Sequence, residues 1–387
     1  MKRFFPLLLM FVTLPLTAQD NEEYNTLVIE FNDGTRQSIP ISRISCLLFE
    51  NTSDEALYEF VGTWPQSALY PTRNFCNGEL TTMIKYLGGN TYSSRSKMGS
   101  YYLDCATATD EQKEWLRSCD TYPEKVEGFT RWVRKRVILY PFDKPMPADC
   151  NQHAIGDCNT VSTLADMAYL YPDFIMSLIT QIDNLNYTVK MFDPEGNRIE
   201  VGVNNYILHD NSGNIAQMTG KKNIVTWSTL LEKAIAKWLT VYKPGTGLGG
   251  FGAEGMTPMF TGDGRSVAIS PGKCTAQELA TVVTTCLRHG LIVNGGFNKQ
   301  GIQIGSHETI TAHGHSLLLP NTEIEPKALF AMRNPWGQGS DDHVMQITDD
   351  GTVPPTIDIR IISPGIASLY FQHNDDNPLG PYIVPKW

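Results

Sequence analysis

Three side chains far apart in the chain have the types needed for thiol chemistry: Cys158, a histidine and an asparagine amide. A cysteine attacks a carbonyl carbon as the thiolate, and a free thiol titrates near pH ~8.5. The positive end of a helix and a neighbouring imidazolium each stabilise the thiolate. A third group must then hold the imidazole in orientation. Cys158 is followed by His315 and, further on, Asn334. That order of cysteine, remote histidine and asparagine suits a thiol hydrolase. His313 is a rival base, because strands alternate faces by one residue and positions 313 and 315 could point the same way.

The elements that must position these groups are partly readable. After Cys158, Val161, Leu164, Ala165 and Ala168 recur at helical spacing, so a helix opens at or near the thiol. Asp157, just before it, reads as a helix cap. A second helix runs from Trp227 to Trp238, with Trp227, Leu230, Leu231, Ala234, Ile235 and Trp238 on one face. A third opens at Thr275, where Glu278 completes a capping box, and buries Leu279, Val282, Val283, Cys286 and Leu287. A short helix is expected near Asp110–Arg117. Strand-like runs come later, at 291–293, 317–319, 328–332 and 357–362. Helices first and strands later argue an α+β fold with two lobes. Residues 26–49 alternate as a small β unit, with Asn32-Asp33-Gly34 as its turn.

Composition narrows the function classes. Of the 387 residues, 41% are hydrophobic and 19% charged, which is globular rather than disordered. Lys2 and Arg3, the apolar run Phe4 to Leu16 and Ala18 read as a secretory signal peptide. No later stretch reaches the ~20 apolar residues of a membrane span. The formal net charge is −10, and loss of Lys2 and Arg3 with the leader makes the remainder more acidic still. No nucleic-acid partner is expected from such a chain. The eight cysteines show no zinc-site spacing. Export would permit disulfides. Cys158 must stay free to react, and Cys286 sits on an apolar stripe as an inert core thiol; pairing among the other six is open.

Several motifs together resemble the calpain family of cysteine peptidases. Gln152-His153-Ala154-Ile155-Gly156-Asp157-Cys158 resembles the calpain pattern Gln-Gly-x-x-Gly-Asp-Cys. Gly314-His315 resembles the Gly-His of the calpain histidine strand, which selects His315 over His313. Arg333-Asn334-Pro335-Trp336-Gly337 matches the calpain asparagine motif at every position. The stretch from Trp227 to Lys237 looks like the long calpain helix. Gly249-Gly250, followed by Phe260-Thr261-Gly262, looks like the loop that lines the calpain cleft, and Val189 to Tyr206 like a calpain hairpin. The resemblance covers roughly 146–345 and implies a papain-like fold, a helical lobe followed by a β-rich one.

By this resemblance Cys158 is the nucleophile, His315 the base, Asn334 its orienting partner and Gln152 the oxyanion-hole side chain. Trp336 covers the histidine–asparagine bond, and Gly249, Gly250 and Gly314 let substrate backbone approach. The implied activity is a secreted, periplasmic or extracellular, endopeptidase acting on proteins or peptides through a thioester. A catalytically silent papain-fold binding protein, or an acyl transferase or cell-wall amidase with the same triad, are the alternatives. The implied organisation is 1–18 leader, 19–55 β unit, 56–145 a mixed region without assigned role, 146–262 helical lobe and 263–387 β-rich lobe.

Departures from the family are specific. Asn159 stands where calpains carry tryptophan. Calpain cores bind calcium, and Asp149 matches one ligand position, but Val225 and Ser340 stand where glutamates are usual. Calcium needs several oxygen ligands. No cofactor is expected, and calcium dependence is weak or absent.

Overall fold

The computed structural model describes residues 26–30, 35–40, 90–91, 100–121, 126–262, 266–269, 275–288, 290–337, 339–349, 357–362 and 379–386. The leader-like segment 1–18, the expected Asn32-Asp33-Gly34 turn and Cys46, Cys76 and Cys274 lie outside these. Contacts divide the chain into two compact units, residues 1–49 and 50–387. In the first, β1 (Thr26–Glu30) and β2 (Arg36–Pro40) pair antiparallel, with Leu27 opposite Ile39.

The second unit opens with β3 (Asn90–Thr91), α1 (Asp110–Arg117) and β4 (Phe129–Arg134). Thr109 and Gln112 close a reciprocal capping box at the start of α1. Next come α2 (Cys158–Leu170), α3 (Pro172–Leu178), β5 (Ile179–Gln181), β6 (Asn186–Phe192), β7 (Arg198–Asn204) and β8 (Tyr206–Asp210). β4 pairs with β8, and β5, β6 and β7 form an antiparallel sheet. α4 (Trp227–Tyr242) is capped by the Thr226 hydroxyl and buried on nearly every side, with α5 (Met256–Thr261) after it.

The rest is β9 (Ser266–Ile269), α6 (Ala276–Arg288), β10 (Ile292–Phe297), β11 (Gln303–Ile304), β12 (His307–Glu308), β13 (His315–Leu318), β14 (Phe330–Arg333), β15 (Val344–Ile347) and β16 (Ile357–Ile362). Among the described residues β9, β10, β13, β14, β15 and β16 make a seven-stranded sheet with β3, in the order β15-β14-β13-β10-β16-β9-β3, while β11 and β12 pair only with each other. The Thr275–Glu278 capping box starts α6 as its sequence requires.

Two large hydrophobic cores result among the described residues, beside two small clusters. One gathers α2, α4 and α5 with Val189, Met191, Val201 and Val203 of β6 and β7. The other seats the α6 stripe, Leu279, Val282, Val283, Cys286 and Leu287, on β10, β13, β14, β15 and β16. The fold is α+β. The described part of 56–145 from residue 100 is no separate region. Tyr102, Ala108 and Leu116 belong to the α2–α4 core, and the Ala106 N–H donates to Tyr242 O at 2.8 Å.

α2 lies against β10 and β13. Polar side chains fix that contact. Ser316 Oγ donates to Ser162 O at 2.9 Å, Thr163 Oγ1 donates to Asn294 Oδ1 at 3.1 Å, and Asn294 Nδ2 donates to the buried Asp166. The start of α2 is thereby held beside the start of β13.

Candidate active site

The segment feeding Cys158 is clamped before it reaches the helix. The Asn151 N–H donates to Thr219 O at 2.9 Å, and the Thr219 N–H returns a bond to Asn151 O at 3.1 Å. Buried Asp149 accepts from Trp227 Nε1 at 2.7 Å and from the Met146 N–H at 2.9 Å. Burial pushes its carboxyl up to about 7, with those two bonds opposing. Fully buried Arg333 reaches over from β14: Nη1 donates to Cys150 O at 3.0 Å and Nη2 to Asn151 Oδ1 at 2.9 Å. Asp342 answers its charge, accepting from Nε at 2.8 Å.

Cys158 occupies the first position of α2 with a free, half-buried thiol. Asp157 takes the N-cap place without a side-chain capping bond. Burial raises the thiol above its ordinary value; N–H groups of Gly314, Asn159 and Cys158 act the other way, and the Asp157 charge adds to the rise. The helix start therefore supplies donors but does not by itself make the sulfur anionic.

On the facing side the histidine bonded to the asparagine is not the one expected. His313, not His315, bonds Asn334: its Nε2 lies 2.9 Å from Asn334 Oδ1. That oxygen also accepts from the Trp336 N–H at 3.0 Å, which fixes the carboxamide as acceptor and His313 Nε2 as donor. Nδ1 of His313 then keeps its lone pair. His315 lies one layer deeper, 1% exposed, with Nδ1 3.1 Å from His313 O and its ring 5.2 Å from Phe297. Burial pushes its imidazole down to about 3. The two rings are 5.0 Å apart, so both do share a side of the extended chain. Only the one preceding the strand reaches the surface. The signal was present: His315 heads the apolar run Leu317–Leu319, whereas His313 stands before it, in the loop.

Cys158 and His313 line one cleft of about 530 Å³, together with Asn159, Gly295, Phe297 and Gly314. Burial lowers the His313 imidazole while its bond to Asn334 raises it. Trp336, 40% exposed, sets its ring 5.2 Å from that of His313 and shields the histidine–asparagine bond.

Other expected site residues fall differently. Gln152 is buried, donates Nε2 to Ile155 O at 2.9 Å, and gives its backbone N–H to Pro335 O at 2.8 Å. One of the two amide N–H donors is thus held inside its own loop, and Gln152 does not line the Cys158 cleft. Gly249 lies against the chain before the thiol, where an added Cβ would sit 2.8 Å from Gly156 O. Gly250 is exposed. Gly314 lines the cleft and also lies close to α2: a Cβ there would meet Asn159 Oδ1 at 2.7 Å. Gly337 closes the Arg333–Gly337 motif. Its φ is +54°, and a Cβ would overlap Asn151 Oδ1 and Arg333 Nη2.

Calcium does not fit the positions that the family resemblance assigns to it. Oδ2 of Asp149 is taken by Trp227 and Met146, so this carboxylate has only its buried Oδ1 left to offer, Val225 is a buried aliphatic, and Ser340 offers one hydroxyl. Among the described residues no group of three or more His, Cys, Asp or Glu could hold a metal ion. The thiols of Cys105, Cys119, Cys150 and Cys286 are free, which settles part of the open disulfide question. Among the described residues no helix is long and apolar enough to cross a membrane.

The chain is 22% identical over 231 residues to the calpain-type cysteine protease DEK1 of Arabidopsis thaliana, an alignment spanning 55% of this chain and 10% of that protein. A family model described as calpain family cysteine protease matches residues 97–342, starting well before the motifs of the cysteine loop. With that match spanning more than half of the sequence, and with thiol, imidazole and carboxamide carried on the elements just described, the chain belongs to the calpain family of cysteine proteases.

Proposed function

We propose that the protein is a cysteine endopeptidase that hydrolyses peptide bonds with Cys158 as nucleophile, His313 as base and Asn334 as the group that orients it. One observation carries this reading. His313, already bonded to Asn334 through Nε2, lines the same cleft as the Cys158 thiol. The two hydrophobic cores, with the cleft beside α2, support a papain-like arrangement of two lobes.

Sγ of Cys158 attacks the carbonyl carbon while its proton passes to His313 Nδ1. The Cys158 N–H stands at the first position of α2, outside the helix's own ladder, and meets the developing oxyanion. Collapse breaks the C–N bond, and His313 returns the proton to the leaving amine. Water then attacks the thioester, giving its proton to His313; the C–S bond breaks, the acid product leaves, and His313 returns the proton to sulfur.

Gln152 adds a second oxyanion donor by releasing Ile155 O. That exchange gives up one neutral hydrogen bond worth about 1 kcal/mol, against ~3–4 kcal/mol for an oxyanion donor in the transition state. The leader-like start supports export and action outside the cytoplasm, and the poor calcium positions support activity without that ion.

Replacing Cys158 with Ala and assaying an unfolded protein substrate tests the reading. Cleavage should disappear, and a peptidyl epoxide should label wild type at Cys158 only. Undiminished cleavage by the variant would remove the proposal. Amide exchange without hydrolysis, read by product mass, would point to acyl transfer instead.

A further inference from the structure

A second pocket adjoins the same machinery. It has a volume of about 810 Å³, and its lining includes Asn151, His153, Lys221, Lys222, Trp336 and Lys386. Asn151 and His153 flank Gln152, and the Trp336 ring is the one that packs beside His313. Trp336 therefore belongs both to the wall of the triad and to this pocket.

The proton path gives the pocket its direction. His313 hands its proton to the amine that departs, so the departing part of a substrate lies over His313 and next to Trp336. Residues following the scissile bond are led toward the lysines.

The charge there is one-sided. Three lysines line the pocket, and among the described residues no Asp or Glu does. Lys221 has a carboxylate near it, Asp342 Oδ1 at 3.6 Å, but Asp342 already answers the buried Arg333 and also accepts from Tyr382 OH at 2.8 Å. One anion thus faces two cations. Lys386 is exposed. His153 is held by Thr219 Oγ1 at 2.7 Å, and burial lowers its imidazole, so it offers a neutral hydrogen-bonding edge.

We infer that this pocket binds a carboxylate on the leaving-group side of the scissile bond, which makes the protein selective for substrates acidic there. The carboxylate is either an Asp or Glu side chain or a free chain terminus. The inference rests on the proposed peptidase reading for its direction, since without proton delivery from His313 the pocket has no leaving-group side.

The test uses matched peptides of one sequence. Those ending in an amide carry Glu, Gln or Lys two residues after the cleaved bond; a fourth carries Gln with a free C-terminal carboxylate. At low salt kcat/KM should favour Glu over Gln by about tenfold and disfavour Lys, and the ratio should shrink as salt screens the lysines. Lys386→Glu combined with Lys222→Glu should collapse or invert the ratio. A preference seen only for the free carboxylate identifies a chain terminus as the ligand. The same peptides are bound to the Cys158→Ala protein, read by fluorescence anisotropy, where the ranking should persist without turnover. Cleavage with equal rates and affinities for Glu, Gln and Lys peptides would overturn the inference. Ranked binding with no cleavage by wild type would keep the carboxylate pocket and sink the peptidase reading.

Discussion

The two walls of the Cys158 cleft are built on different periods, and they differ in how well the sequence predicts them. The thiol wall is a helix start. Val161, Leu164, Ala165 and Ala168 can face the core together in only one rotation, so the register of α2 fixes where Cys158 stands. The imidazole wall is the entry to a strand. There positions two apart share a face, and His313 and His315 do lie with rings 5.0 Å apart. A helix names its first residue; a strand leaves two candidates and lets depth choose.

The sharpest way to break this comparison is to exchange the two histidines' fates. His313→Ala should lower kcat/KM by about 10⁴-fold or more, because base and leaving-group acid vanish together. His315→Ala should leave the folded enzyme within roughly tenfold of wild type and instead cost about 1–3 kcal/mol of stability, through the lost bond to His313 O and the lost packing on Phe297. Peptide turnover beside urea unfolding of both variants separates the roles. Loss of turnover in a folded His315→Ala protein, with His313→Ala active, would restore the other assignment.

The next effect concerns what joins the walls. Arg333 ties β14 to the Cys150–Asn151 backbone with its charge answered by Asp342. Arg333→Met takes from the buried Asp342 its hydrogen-bonded cation and leaves it Lys221 at 3.6 Å, at a cost of about 3–5 kcal/mol. Asp342→Asn paired with it should recover part of that loss. A denaturation midpoint unchanged in Arg333→Met would show that the clamp is dispensable.

A smaller effect sharpens the thiol wall. Gln152→Ala should lower kcat by about 10²–10³-fold if the amide leaves Ile155 O for the oxyanion, with KM little changed. If Gln152 only braces its loop, the variant would lose stability and keep its kcat.

Legibility follows the same division. The stripes of α4 and α6 and the Thr275–Glu278 capping box are local patterns, and each formed where the sequence placed it. Asn334 was legible because Pro335 and Trp336 follow it in a fixed motif, and the Trp336 N–H is what turns its carboxamide toward His313. What stayed hidden was non-local. Nothing in the sequence says that Arg333 crosses to Cys150 O, that Gln152 bends to Ile155 O, or that Gly314 lies against Asn159. The boundary at residue 146 failed similarly: no motif marks Tyr102 or Leu116, yet both lie in the core that supports α2.

The finest discriminator is pH, because burial moves the two groups of the proposed pair apart. The thiol lies above its ordinary value of 9.0 and the imidazole of His313 below its ordinary 6.5, each chiefly through desolvation. The working pair holds one proton in all. Protonating the imidazole removes the base, so the acid limb of kcat/KM falls below pH 6.5. Stripping the last proton removes the acid needed by the leaving amine, so the alkaline limb lies above pH 9.0. Alkylation of the free enzyme by iodoacetamide follows thiolate alone and should rise only along that alkaline limb. An alkylation step centred between about pH 3.5 and 7.5, the range of helix- or imidazolium-activated thiols, would mean that the resting pair is already ionised. In that case the α2 donors and His313 together outweigh burial, and the thiol wall needs no substrate to complete it.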